Sequence, residues 1–247
     1  MKKSRQNARV NEAKASDRGV LAGRTFEFKS GRFPVVYCLA SLVLTIVAIP
    51  FIEELRSGTL IEAILLTIVF LSAVFAVGGR GKKLALALLL AAPALFARWV
   101  SYSRADDLVS TEVFRGTGML FFGFVVLQLL LFIFRAPRVD SEVLCAGITI
   151  YLMLGLFWSL AYSLIDWLAP DSFVFNAGPA SGGSMQGFQA LYFSFITLST
   201  IGYGDIVPVS KLARMLAIVE AVTGMFYVTL LIARLVTLYS SNRARND

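Results

Sequence analysis

The chain has 247 residues, 57% of them hydrophobic and 16% charged, with a formal net charge of +7 and no histidine. A mean hydropathy of +0.73 excludes an ordinary water-soluble domain as the setting for most of it. With Cys38 and Cys145 the only cysteines, no disulfide framework or zinc-type ligand set is expected, and both thiols read as small apolar groups inside lipid-embedded segments.

Residues 1–33 carry Lys2, Lys3, Arg5, Arg9, Lys14, Arg18, Arg24, Lys29 and Arg32. Lying beside the first apolar run, this basic segment predicts contact with anionic lipid and not with nucleic acid. It is too long and polar to begin a secretory signal, and the run that follows is long enough to span, so no cleavage is expected. Apolar stretches of crossing length follow at 34–52, 59–77, 84–101, 116–134 and 143–168, with a sixth at 211–239. The third contains Pro93, and the sixth contains Arg214, Glu220 and Arg234. Proline is tolerated in membrane helices and charges near their ends reach the interface, so both count as spans.

Lysines and arginines concentrate on alternate connections. The N-terminal segment, Arg80, Lys82 and Lys83, then Arg135 and Arg138, then Arg234, Arg243 and Arg245 fall on one side. Arg56, Arg98, Arg104, Arg115, Lys211 and Arg214 fall on the other. The positive-inside rule therefore places both termini in the cytoplasm, as six crossings require. The fourth span holds no arginine at intervals of three: Arg115 precedes it, and Arg135 and Arg138 follow it. A membrane field acts only on charge that moves through it, so weak or absent voltage dependence is expected. Glu62, near the outer end of the second span, suits either a pair with Arg98 or Arg104 or simple interfacial exposure. Asp166 and Trp167 end the fifth span, where an aromatic anchor is expected.

The interval 169–210 is no simple loop. A polar stretch from Pro170 to Gly187, with Gly178, Pro179, Ser181, Gly182, Gly183 and Ser184, reads as exposed and irregular. Phe188–Ser199 is apolar and aromatic but only about half the length of a crossing, which fits a helix that enters the membrane and stops. Thr200-Ile201-Gly202-Tyr203-Gly204-Asp205 comes next, then Ile206, Val207 and Pro208 lead back outward. The expected division is a basic segment 1–33, a four-helix membrane unit 34–142, and a unit 143–247 built around the re-entrant segment.

A cation stripped of water must recover its coordination from protein oxygens, and neutral backbone carbonyls let it leave again. Aiming successive carbonyls at one axis demands backbone angles that Gly202 and Gly204 adopt without a side-chain clash. The residues Thr197 to Asp205 resemble the filter of the potassium channel family, which reads Thr-Val/Ile-Gly-Tyr-Gly-Asp. Such channels are themselves the reference case for carbonyl filters, so the mechanism is inherited from the family.

The resemblance is strong over 143–239 and weak before it. It implies an all-α membrane fold of six transmembrane helices with a re-entrant pore helix and filter loop. It implies potassium held by Thr200, Ile201, Gly202 and Tyr203, with Gly204 completing the filter, and three further identical subunits closing the ring. Asp205, Tyr192, Phe193 and Ser199 would support the filter, while Ile201 and Tyr203 turn outward to brace it. At Ile196 some members carry a glutamate that pairs with the aspartate matching Asp205, so that coupling is not expected here.

Gly224 stands where the family has its inner-helix hinge, and close packing at a small residue explains it equally well. Val228, Leu231, Ile232 and Leu235 lie at helical spacing below it, suited to an apolar constriction or to lipid and helix contact. Glu220 falls where it would sit behind the filter. The expected function is passive potassium conduction by an integral protein of the cell membrane, with lipid and potassium as partners and no cofactor. A nonselective channel would alter Tyr203, a potassium transporter would carry four degenerate loops, and a nonconducting subunit remains a third reading. No nucleophile, base and metal constellation suggests an enzyme.

Overall fold

The computed structural model describes residues 34–52, 55, 57–77, 81–103, 108–137, 140–176 and 183–243. The segment 1–33, together with Arg56, Arg80, Arg104, Arg138, Gly178, Pro179, Ser181, Gly182 and Arg245, lies outside them.

Long apolar runs form helices in lipid because a helix satisfies its own backbone groups. In chain order the helices are α1 Pro34–Ile52, α2 Gly58–Ala76, α3 Lys82–Ser103, α4 Leu108–Arg135 and α5 Ser141–Leu168. The short strand β1 Phe173–Phe175 follows, then helix α6 Gly187–Leu198, strand β2 Ile206–Pro208 and helix α7 Lys211–Arg243. Six of these helices are long and apolar enough to cross a membrane, and α6 is the short exception. The chain is an all-α membrane protein. Helix α3 continues through Pro93, as expected.

The fourth helix differs from its expected limits. It begins at Leu108 instead of 116, and Arg115 lies within it, buried. Glu112 and Arg115, one turn apart, form an ion pair that lets this polar turn remain helical. Arg98 is also paired: its Nη2 meets Glu62 Oε2 at 2.9 Å, realising one of the two pairings the sequence offered.

Polar side chains join successive helices of this unit. Ser41 and Ser72 hydroxyls meet at 2.8 Å between α1 and α2. Trp99 Nε1 donates to Thr67 Oγ1 at 3.2 Å between α3 and α2, and Ser101 meets Thr111 at 2.7 Å between α3 and α4. Apolar burial drives little association between helices in lipid, so such bonds and close packing carry it. At the centre, Phe70 of α2 stacks on Phe121 of α4 with ring centroids 4.5 Å apart. Helices α1 and α4 both pack on α5, which joins this unit to the pore-like helices. Cys38 and Cys145 are free thiols, and Cys38 is fully buried.

Helices α5 and α7 have opposite burial. Helix α5 is the most enclosed of the six, whereas α7 is the least. On α7, among the residues whose burial is described, those buried are Ala213, Glu220, Gly224 and Tyr227, which recur every three, four or seven positions and make one narrow stripe. Ile218, Met225, Phe226 and Val236 lie outside the stripe and are exposed in the single chain.

Candidate functional site

Helix α6 reaches the segment 200–205 through a sharp turn whose hydrogen bonds run back into the helix. Thr200 N donates to Thr197 O at 2.9 Å. Ile201 N and Gly202 N both donate to Ile196 O, at 2.9 and 3.2 Å. Ile196 therefore contributes its carbonyl, which ties the lower half of the segment to the helix end. Serine at 199 caps the same turn, its hydroxyl donating to Phe195 O at 2.6 Å.

The backbone then alternates. Thr200, Gly202 and Gly204 have positive φ of 60°, 55° and 81°, and Ile201 and Tyr203 between them do not. Alternation of this kind turns successive carbonyls to one side instead of to opposite sides as in a strand. The glycines take these angles freely, while Thr200 pays the steric cost of a side chain there. Among the described residues, none donates a hydrogen bond to the carbonyls of Thr200, Ile201, Gly202 or Tyr203. Four adjacent acceptors thus stand exposed in the single chain without a donor among the described residues.

The upper end is anchored twice. Tyr192 Oη donates to Asp205 Oδ2 at 2.7 Å, and Asp205 Oδ1 accepts from Ile206 N at 3.1 Å. Asn176, following β1, donates through Nδ2 to Gly204 O at 3.2 Å and through its backbone N to Asp205 O at 2.7 Å. Strands β1 and β2 pair antiparallel, Phe173 opposite Pro208, Val174 opposite Val207 and Phe175 opposite Ile206. Asp166 is not merely an interfacial residue: it accepts from Met185 N at 3.0 Å and so fixes the approach to α6.

Of the two neighbouring aromatics, Tyr192 faces the segment 200–205 and Phe193 faces away from it. Phe193 packs edge-on against Tyr162 of α5 and Phe173 of β1, with centroids 4.8 and 5.5 Å away. It supports the segment through the core behind α6. Ile201 and Tyr203 are 56% and 70% exposed in the single chain.

Three close contacts seat α6. Phe195 lies against Gly155 of α5, where a Cβ would meet the ring at 2.4 Å. A Cβ at Gly224 of α7 would meet Leu198 O at 2.2 Å. Between them Glu220, fully buried, accepts from Tyr162 Oη of α5 and contacts Ser194 Oγ of α6 at 2.6 Å. Sequence reasoning placed Glu220 behind the filter but had no signal for these partners. It also missed Asn176 and Asp166, whose roles depend on the fold of the intervening loop.

Residues 141–241, which contain all of these groups, match the ion channel family. The chain is 33% identical over 93 residues to two-pore potassium channel 3 of Arabidopsis thaliana, covering 37% of this chain and 18% of that protein. It is 34% identical over 92 residues to two pore potassium channel c of Oryza sativa subsp. japonica, covering 37% and 19%. Against the inward rectifier potassium channel Kirbac3.1 of Paramagnetospirillum magnetotacticum the identity is 38% over 76 residues, 31% and 22% of the two chains. Through this segment the chain is similar to proteins named as potassium channels. The chain spans only 18–22% of the length of these relatives. No solved structure matches it.

Proposed function

We propose that the protein is a subunit of a potassium-selective channel, in which four identical chains set Thr200–Gly204 around a common axis and potassium passes down its gradient. The observation that carries this reading is the run of four unpartnered carbonyls, Thr200 to Tyr203, on a backbone of alternating φ. One chain offers one wall of such a pathway, and a ring of carbonyls requires copies related by cyclic symmetry. The exposure of Ile201 and Tyr203, and of most described residues of α7 outside its stripe, suits surfaces that neighbouring chains and lipid cover.

In this reading potassium is held through Thr200, Ile201, Gly202 and Tyr203, and Gly204 ends the filter. Asp205, Tyr192, Ser199 and Phe193 support it by the contacts described above. The pore unit is 143–247 and the four-helix unit 34–142 flanks it, with the protein in the cell membrane and both termini in the cytoplasm. Helix α4 carries Arg115 two turns from its start, paired with Glu112, and Arg135 at its end, with no cation between them, which supports conduction without fourth-helix voltage sensing. Gly224 is placed by its contact with Leu198, and any bending of α7 there would move the base of the filter directly.

Purified protein in liposomes with a potassium gradient tests the reading. Potassium flux well above sodium flux, abolished by Gly202→Asp, is the expected result. Equal flux of both ions rejects selectivity, and the absence of flux favours a nonconducting role.

A further inference from the structure

Glu220 is the one acidic side chain that the described structure buries completely. It lies on a helix read as crossing a membrane, where a carboxyl group is costly unless its oxygens are matched. Both oxygens are matched, by groups on two different helices. Tyr162 Oη of α5 donates to Oε2, and Ser194 Oγ of α6 lies 2.6 Å from Oε1. The same Ser194 Oγ lies 2.8 Å from Gly155 O of α5. One carboxyl group therefore joins α5, α6 and α7 at a single level, midway along the pore helix.

This junction also has a route to the outer mouth. Tyr162 packs on Phe193 of α6 and on Phe173 of β1, with centroids 4.8 and 5.8 Å away. Strand β1 pairs with β2, the strand that leaves the filter, and Asn176 beyond it bonds Gly204 and Asp205. Below the junction, Gly224 lies one turn further along α7 against Leu198 O. The position of α6, and so of the carbonyls that follow it, is fixed by the face of α7 that bears Glu220.

We propose that Glu220 is a positioning residue of the filter, holding the pore helix between α5 and α7 through Ser194 and Tyr162 and so setting the discrimination of potassium from sodium. The proposal rests on the channel reading. It assigns the effect to hydrogen-bond geometry and not to a free charge. Ser194 has one hydroxyl hydrogen and two acceptors in reach, so the junction is complete with a neutral group at 220. The amide of Glu220→Gln has an NH2 to donate to Ser194 and an oxygen to accept from Tyr162, at nearly unchanged volume. Glu220→Ala leaves the Tyr162 hydroxyl without its partner and Ser194 with Gly155 O alone, so nothing then ties α6 to α7 at this level.

The test compares the potassium-to-sodium flux ratio of the full chain in liposomes for the native protein, Glu220→Ala, Glu220→Gln and Ser194→Ala. The ratio is expected to fall about tenfold or more in Glu220→Ala and Ser194→Ala, and to stay within about twofold of native in Glu220→Gln. Tyr162→Phe removes a single oxygen, retains the ring packing and is expected to give an intermediate ratio, which keeps the test available if the alanine variant does not assemble. A native ratio in Glu220→Ala or, should that variant fail to assemble, in both Ser194→Ala and Tyr162→Phe would overturn the proposal. So would a Glu220→Gln variant as poor as alanine, which would make charge the agent. These results presume selective native protein; equal flux in the native protein itself would instead overturn the channel reading and the proposal together.

Discussion

Replacing Gly224 with alanine is expected to spoil ion selection from a position that touches no ion. An ideal Cβ at 224 lies 2.2 Å from Leu198 O and 3.1 Å from Leu198 C. Carbon and carbonyl oxygen settle at about 3.3 Å or more, so the two backbones must part by roughly 1 Å. The clash is with main chain on the last turn of α6, and no rotamer change relieves it. Helix α7 has little freedom to retreat, because Glu220 holds it to α6 one turn above and Tyr227 Oη donates to Gly147 O at 2.6 Å just below. The displacement therefore falls on Leu198 and on Thr200, two residues on. Overpacking of this kind costs about 1–3 kcal/mol in each chain, and functional groups generally tolerate only about 0.5 Å of misplacement. The assay is the potassium-to-sodium flux ratio in liposomes, with thermal melting of the detergent-solubilised assembly read in parallel. A lowered ratio and a lowered melting temperature are expected together. A native ratio with a native melting temperature refutes the packing argument, and an altered open probability with a native ratio makes Gly224 a hinge instead of a seat.

Two further substitutions separate the Asp205 anchor from the far end of α7. Tyr192→Phe removes the hydroxyl that Asp205 accepts from; the loss of about 1 kcal/mol per chain is expected to speed the decay of potassium flux after opening while leaving assembly intact, as measured by current decay in planar bilayers. Arg234 Nη2 donates to Phe134 O and Ala136 O at 2.8 and 2.9 Å, tying α7 to the end of α4; Arg234→Ala is expected to change open probability severalfold, about 1 kcal/mol in the closed-to-open balance, without changing the flux ratio, and single-channel recording checks both.

The chain's helices were legible because lipid imposes one rule on every span: enough apolar residues in a row. The boundaries of α1 and α5 fall within two residues of expectation for that reason. Helix α4 starts earlier because a local ion pair, Glu112 with Arg115, makes a polar turn compatible with helix, and hydropathy does not register pairing. The positive φ of Gly202 and Gly204 followed from residue type, whereas that of Thr200 did not, since threonine ordinarily avoids such angles.

The long-range partners were hidden. Nothing in the spacing of Tyr192 and Asp205, Asn176 and Gly204, or Glu220 and Tyr162 announces that they meet. With Ile196 in place of a carboxylate, the sequence suggested a less supported Asp205. The fold instead gives that aspartate the Tyr192 hydroxyl and uses the Ile196 carbonyl beneath it. Phe193 was assigned to the filter by its place beside Tyr192, but successive helical residues point about 100° apart, and the second of the pair enters the core.

A density map of the intact assembly in potassium is the most direct measurement. Four chains with Thr200–Gly204 facing one axis, and a column of ion density at the level of their carbonyls that collapses or thins when sodium replaces potassium, is the predicted result. Chains whose residues 200–204 face lipid or protein, with no axial density in either salt, would contradict the account.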